Sequence, residues 1–174
     1  GRHMVQNAVL AAAVGIRLGM TLEEISRGLA GVELTGGRLQ VKRIGKVTVL
    51  DDSYNANPDS MRAAVAALIE FPCEGRRMAV LGKMAELGDS ASAAHVTLGG
   101  VVAGAGFDEI LVVGEEAKGI LDGIDGAGGR GRYFGEAKQA GEFLRDESRC
   151  GDVVLVKGSR SAAMERVIEE FGRL

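Results

Sequence analysis

Hydrophobic positions change their period once along this chain. In "NAVLAAAVGIRLGM" the apolar residues Val9, Leu10, Ala13, Ile16 and Leu18 form a broad stripe in an alanine-rich run, which predicts a helix that Gly19 stops. "TLEEISRGLAG" predicts a second, shorter helix: Thr21 is placed to cap it, Glu24 to complete a capping box, and Gly28 or Gly31 to end it. From Arg38 the spacing becomes that of strands. "RLQVKRI" and "KVTVLDD" flank Gly45-Lys46, the composition of an antiparallel hairpin. Beyond it, helices are expected from Pro58 to Glu70 and over "SASAAHVTLGGVVAG", "EEAKGILDGI", "EAKQAGEFLRDE" and "SRSAAMERVIEEF". Strands are expected between them at "MAVLG", "EILVVG", "RYF" and "DVVLVKG". These strands are almost continuously apolar, as in a parallel sheet covered by helices on both faces. The expectation is a doubly wound, mostly parallel α/β sheet of about six strands, Rossmann-like, with one antiparallel strand and a helical pair in front.

Composition narrows the class. With 174 residues, 46% of them hydrophobic and 26% charged, the chain has the make-up of one ordinary domain with a small appendage. A net charge of −3 argues against a polyanion-binding face, and without tryptophan the usual stacking platforms are missing, so a nucleic-acid partner is not expected. Cys73 and Cys150 stand alone, which gives neither a disulfide framework nor a zinc motif and fits a reducing cytoplasm. No apolar run approaches the roughly 18 residues of a membrane span, and no leader pattern is visible, so a soluble protein without a membrane partner is expected.

A doubly wound sheet meets its ligands beyond the carboxyl ends of its strands. Three such ends carry unusual residues: "DDSYNANP" after Leu50, "GKMAELG" after Leu81 and "KGSRS" after Val156. Asn57 and Pro58 are explained as a helix cap and first turn, with Met61, Ala64, Val65 and Leu68 as the buried stripe. Capping does not explain Asp51, Asp52, Tyr54 and Asn55. Carboxylates at a buried strand end are costly unless bonded, so either all four residues form turns, or one aspartate faces a ligand hydroxyl or cation while the other secures the loop. Adjacent strand positions face opposite ways, which argues against a shared-proton dyad. Lys157, Ser159, Arg160 and Ser161 sit where a strand hands over to a helix; they form either an anion site or a serine-capped helix with two solvated cations. Arg38 in "TGGRLQ" is able to meet a phosphate or carboxylate in bidentate fashion. His95, within an apolar helix, reads as packing or hydrogen-bonded structure in preference to a ligand, and Lys83 with Glu86 as either a loop pair or a crevice lining. "GAGGRG" from Gly126 matches a dinucleotide fingerprint but precedes a strand instead of following one, and no P-loop motif occurs.

Taken together, "GGR", "DDSYNANPDSM", "AVLGKMAELG" with His95 downstream and "VLVKGSRSAAME" resemble the C-terminal domain of the Mur ligases. The similarity is to the member that adds D-alanyl-D-alanine to UDP-N-acetylmuramoyl-tripeptide, in cytoplasmic peptidoglycan-precursor synthesis. Gly1, His3 and Asn7 fall in register with the motif that ends that family's ATP-binding central domain, where Met4 replaces an asparagine. The resemblance therefore implies that residues 1–31 are the helical tail of the central domain and residues 32–174 the C-terminal Rossmann-like domain. It implies an ATP- and magnesium-dependent amide ligase working through an acyl phosphate. Asn7 is expected near adenine, Arg38 at nucleotide phosphate and Asp52 at the ribose hydroxyls, with Tyr54, Asn55 and Asn57 shaping the same crevice. For the D-alanyl-D-alanine carboxylate, family placement and helix-terminus physics together nominate Lys157, Ser159 and Arg160. Lys83 stands where the family more often has an acid. The family's P-loop and uridine domains are not in this sequence, so the chain alone is expected to be an inactive fragment. The alternatives are a non-catalytic doubly wound nucleotide-binding module, a dehydrogenase cofactor domain, or an amide ligase for another amine.

Overall fold

The computed structural model describes residues 2–32 and 36–173, and the chain divides into two compact units, Gly1–Thr35 and Gly36–Leu174. The first unit is a helical pair, α1 (Arg2–Arg17) and α2 (Leu22–Ala30). Thr21 and Glu24 form the expected capping box: the Glu24 N–H donates to Thr21 Oγ1 at 3.2 Å, and the Thr21 N–H donates to Glu24 Oε2 at 2.8 Å. The stripe on α1 is not buried within the pair, since Val9, Leu10 and Ile16, with Leu18 just past the helix end, are each more than half exposed. Two helices lack the volume to cover it, and Ile25 alone is buried on α2. The register read for Gly1 and for the His3 and Met4 side chains lies outside the described residues.

In the second unit β1 (Gln40–Ile44), β2 (Val47–Asp52), α3 (Pro58–Glu70), β3 (Arg77–Leu81), α4 (Ala91–Ala103), β4 (Glu109–Val113), α5 (Gly119–Gly126), β5 (Arg132–Phe134), α6 (Ala137–Glu147), β6 (Val153–Lys157) and α7 (Glu165–Phe171) follow in order. They build one six-stranded sheet in the order β1-β2-β6-β3-β4-β5. Only the β1–β2 hairpin is antiparallel. Alternating strand positions feed two cores. Leu50, Ala79, Leu81, Val112 and Leu155 pack with Met61, Leu68, Leu98, Val102 and Ile120 from α3, α4 and α5. Val49, Met78, Val80, Leu111, Val154 and Val156 pack with Leu144, Val167 and Phe171 from α6 and α7. Burial on both faces explains the near-continuous apolar strands.

Two helices begin later than their patterns predict. The segment expected to open α5 forms a 3₁₀ turn over Glu115–Ala117 after Gly114, whose φ is +89°. The segment expected to open α7 forms a 3₁₀ turn over Arg160–Ala162, and Ala163 in the left-handed region (φ +49°) breaks it from a seven-residue helix.

At the opposite, amino edge of the sheet, Asp152 is 1% exposed and accepts four bonds. They come from the Arg76 N–H (2.8 Å), Arg76 Nε (3.2 Å), Arg76 Nη2 (2.8 Å) and the Arg149 N–H (2.9 Å). Burial works to raise the Asp152 carboxyl, but the Arg76 guanidinium and the two amides outweigh it and hold the group below its ordinary value. A carboxyl depressed in the folded state contributes stability above its unfolded pKa and loses it as the pH falls through the folded one. Asp152→Asn should therefore cost about 2 kcal/mol at neutral pH. In urea unfolding the gap to the parent should close as the pH drops below the carboxylate range.

Candidate functional site

Strand β6 lies between β2 and β3. The chain leaves β2 and β3 for helices on one face of the sheet and leaves β6 for α7 on the other. Three connections thus part around the end of β6, a topological switch point where open α/β sheets place ligands. In register there, Asp52 stands opposite Lys157, and Lys157 opposite Leu81.

The two aspartates separate as strand alternation requires. Asp51, 2% exposed, accepts the Ser53 N–H (3.1 Å) and Oγ–H (2.6 Å) on one oxygen and Lys42 Nζ (2.5 Å) on the other. It secures the loop. Asp52 follows Leu50 on the α3 face; its Oδ1 accepts the Leu39 N–H at 3.0 Å and its Oδ2 accepts Lys157 Nζ at 2.6 Å. Lys157 Nζ also donates to the Asn55 carbonyl at 2.8 Å, and the Lys157 side chain is 2% exposed. Lys157, expected beside Ser159 and Arg160 as an anion ligand, is thus turned inward. An ammonium this deeply buried at a strand end requires a paired, hydrogen-bonded charge, and Asp52 provides it.

Arg38 is carried by a tight turn. Gly37 has φ +72° and Leu39 φ +51°, and the Tyr54 N–H donates to the Gly37 carbonyl at 2.9 Å. A Cβ at Gly37 would lie 3.0 Å from both Ser53 Oγ and Tyr54 N, so glycine allows this approach. The Arg38 guanidinium sits 4.7 Å from the Tyr54 ring centroid, and both residues are exposed. Asn55 Oδ1 accepts the Ala56 N–H at 2.8 Å, and Asn57 Oδ1 caps α3 through the Ser60 N–H at 2.8 Å. The connection after β2 therefore gathers Arg38, Asp52, Tyr54, Asn55, Asn57 and Lys157. Asn7 is exposed on α1, in the first unit.

After β6 the Ser159 N–H donates to the Lys83 carbonyl at 2.8 Å, and Ser159 Oγ lies 3.2 Å from Ser161 Oγ. The Ala162 and Ala163 N–H groups are taken by the Ser159 and Arg160 carbonyls. An α-helix N-terminus directed at a ligand, expected from the motif, is not formed here, because the 3₁₀ turn and Ala163 intervene. The cation that remains on the surface is Arg160, with Glu165 at 3.7 Å. Gly82 and Gly158 let Met164 close over the two loops: a Cβ on either would lie 2.6 Å from the Met164 side chain.

His95 fixes the connection after β3. Its Nε2 accepts the Met84 N–H at 2.9 Å while Nδ1 bonds the Ala91 carbonyl at 2.8 Å, so the partners assign the neutral Nδ1–H tautomer. Lys83 pairs with Glu116 across the loops after β3 and β4, and not with Glu86. The sequence reading missed that pair and the Lys42–Asp51 pair. The hairpin register did carry a signal for the second: Gln40 opposes Asp51, which puts Lys42 one diagonal step away. The glycine-rich stretch from Gly126 closes α5 and leads into β5, the wrong order for a dinucleotide site.

Fold and site define a doubly wound α/β domain whose candidate ligand edge is the carboxyl end of β2, β6 and β3, where an exposed arginine and a carboxylate meet. Residues 37–160 match the family model described as Mur ligase, glutamate ligase domain, and the chain belongs to that family. It is 42% identical over 173 residues to the UDP-N-acetylmuramoyl-tripeptide--D-alanyl-D-alanine ligase of Escherichia coli (strain K12), a match that covers 97% of this chain and 36% of the relative. A crystal structure of MurF from Acinetobacter baumannii superposes with a TM-score of 0.87 at 35% identity, over 99% of this chain and 38% of that one. The MurF ligase from Thermotoga maritima in complex with ADP superposes with a TM-score of 0.75 at 30% identity, over 92% of this chain and 35% of that one. The chain thus spans a little over a third of the length of these relatives.

Proposed function

We propose that this chain is the C-terminal part of an ATP-dependent ligase that joins D-alanyl-D-alanine to UDP-N-acetylmuramoyl-tripeptide in the cytoplasm, and that α1 and α2 are the tail of the preceding ATP-binding domain. The observation that carries the reading is the Arg38–Tyr54–Asp52 group at the switch point, within a chain so similar to ligases of that specificity. The exposed apolar stripe of α1 supports the second part, since a helix with that pattern is built to be covered.

In this reading the tripeptide carboxylate takes the terminal phosphoryl group of ATP. The dipeptide amine then attacks the acyl phosphate, the amide forms and phosphate leaves. Such chemistry needs positioning and charge stabilisation more than a covalent nucleophile. Arg38 offers its donor fork to nucleotide phosphate. Asp52, with lone pairs beyond those bonded to Leu39 and Lys157, accepts from the ribose hydroxyls. Asn7 is assigned to adenine in the complete enzyme, and Tyr54, Asn55 and Asn57 to the crevice wall. Arg160 holds the dipeptide carboxylate, with Ser159 beside it. Both aspartates already hold lysine and amide partners, a donor set that does not fit a resident magnesium ion; magnesium is assigned to the preceding domain.

In the full-length enzyme Arg160→Ala should raise the dipeptide KM about tenfold or more, the worth of a charged hydrogen bond, and leave the ATP KM within twofold. Steady-state kinetics with each substrate varied checks this, and unchanged dipeptide kinetics would remove Arg160 from the carboxylate site.

A further inference from the structure

We propose that Lys157 is a positioning residue: its buried ammonium ties β6 to the connection after β2 and fixes how Arg38 and Asp52 meet the nucleotide, and it does not hold the dipeptide. This rests on the ligase reading above. Lys157 is 2% exposed, with Nζ 2.6 Å from Asp52 Oδ2 and 2.8 Å from the Asn55 carbonyl. Two of its three N–H donors are thereby engaged by one connection. The other Asp52 oxygen accepts the N–H of Leu39, the residue after Arg38, at 3.0 Å. Leu39 has φ +51°, a conformation that a branched L residue keeps only when its surroundings hold it there. The Tyr54 N–H, bonded to the Gly37 carbonyl at 2.9 Å, holds the other side of that turn. A single ammonium therefore braces Asp52 directly and the Arg38 turn through Asp52.

A lysine that captures an anion from solvent runs its stem along the surface and keeps its head in water. Lys157 does the reverse, while Arg160, three residues on, is exposed. The chemistry of the two cations suits this division. A compact ammonium fits between a carboxylate and a carbonyl, whereas the planar guanidinium fork suits a free carboxylate. Pairing with Lys157 also offsets the Asp52 charge, so a phosphate approaching Arg38 meets less repulsion.

The test is Lys157→Met and Lys157→Arg in the full-length enzyme, with both KM values measured. For Lys157→Met the ATP KM should rise about tenfold or more and the dipeptide KM stay within twofold, and Lys157→Arg should restore part of the ATP affinity. That split is the reverse of the one expected for Arg160→Ala, and a general loss of fold would not produce it. A raised dipeptide KM with unchanged ATP KM would make Lys157 a dipeptide ligand and overturn the proposal, with the ligase reading intact. Should Lys157→Met not fold, the same two patterns in Lys157→Arg decide. If the parent enzyme makes no ATP- and dipeptide-dependent product, the ligase reading fails instead. Amide resonances in the 174-residue chain then decide on the brace. Shifts at Leu39 and Tyr54 in the Lys157 variant support it, and unmoved resonances there contradict it.

Discussion

A single methyl group placed on Gly123 is expected to lower the stability of the chain by about 3 kcal/mol, the upper part of the range for overpacking a close-fitting contact. Helices α4 and α5 cross there with backbone against backbone. A Cβ on Gly123 would lie 2.0 Å from the Val96 carbonyl oxygen and 2.9 Å from Gly99 Cα. A Cβ on Gly99 would lie 2.1 Å from the Ile120 carbonyl oxygen. Because the obstructing atoms are backbone, no rotamer change relieves the clash and the helices must move apart. In a domain of this size the melting temperature should fall by roughly 6–12 °C. Gly100 is the control on the same helix: beyond its own stretch of helix backbone nothing lies within 4 Å of its Cβ position, and Gly100→Ala should be neutral or stabilise by up to about 1 kcal/mol through helix propensity. Thermal melts of the two variants check the pair of expectations, and equal melting temperatures would contradict the close crossing.

The second large effect is expected at Asp52. Asp52→Ala leaves the Lys157 ammonium buried with only the Asn55 carbonyl, and breaking a buried pair from one side costs about 3–5 kcal/mol. Asp52 keeps 17% side-chain exposure, so water reaches the site in part and the expected loss is at the lower end, about 3 kcal/mol. Removing both charges in Asp52→Ala/Lys157→Met should recover most of that loss, because the cost lies in the unpaired charge and not in the missing bond. A double-mutant cycle in urea measures this. If the double variant is no more stable than Asp52→Ala, the pair is not the buried unit described above.

The elements were legible in the sequence where local chemistry decides them. Asn57-Pro58 and Thr21-x-x-Glu24 announced helix starts, and both caps form as read. Apolar runs without alternation announced a parallel sheet, because burial on both faces leaves no polar side to mark. The segments that failed share a cause: helical composition in "SRSAAME" and "EEAKG" does not reveal that Ala163 and the preceding Gly114 take positive φ, beside the 3₁₀ turns that delay each helix. The candidate site was half legible. The excess of carboxylate at "DDSYN" marked it, and alternation correctly separated Asp51 from Asp52. That Lys157 turns inward was not readable, since it depends on β6 being inserted between β2 and β3, a long-range order that no local pattern contains. The α1 stripe was legible as an apolar stripe, yet within its own unit it is open, because periodicity reports that a face is to be covered and not by what.

The most direct test of the ligase account is product analysis with the full-length protein that carries this chain, given ATP, UDP-N-acetylmuramoyl-tripeptide and D-alanyl-D-alanine. One phosphate should be released per pentapeptide product formed, product should depend on the dipeptide, and the 174-residue chain alone should yield none. Product from the isolated chain, or phosphate release by the full-length protein without addition of D-alanyl-D-alanine, would contradict it.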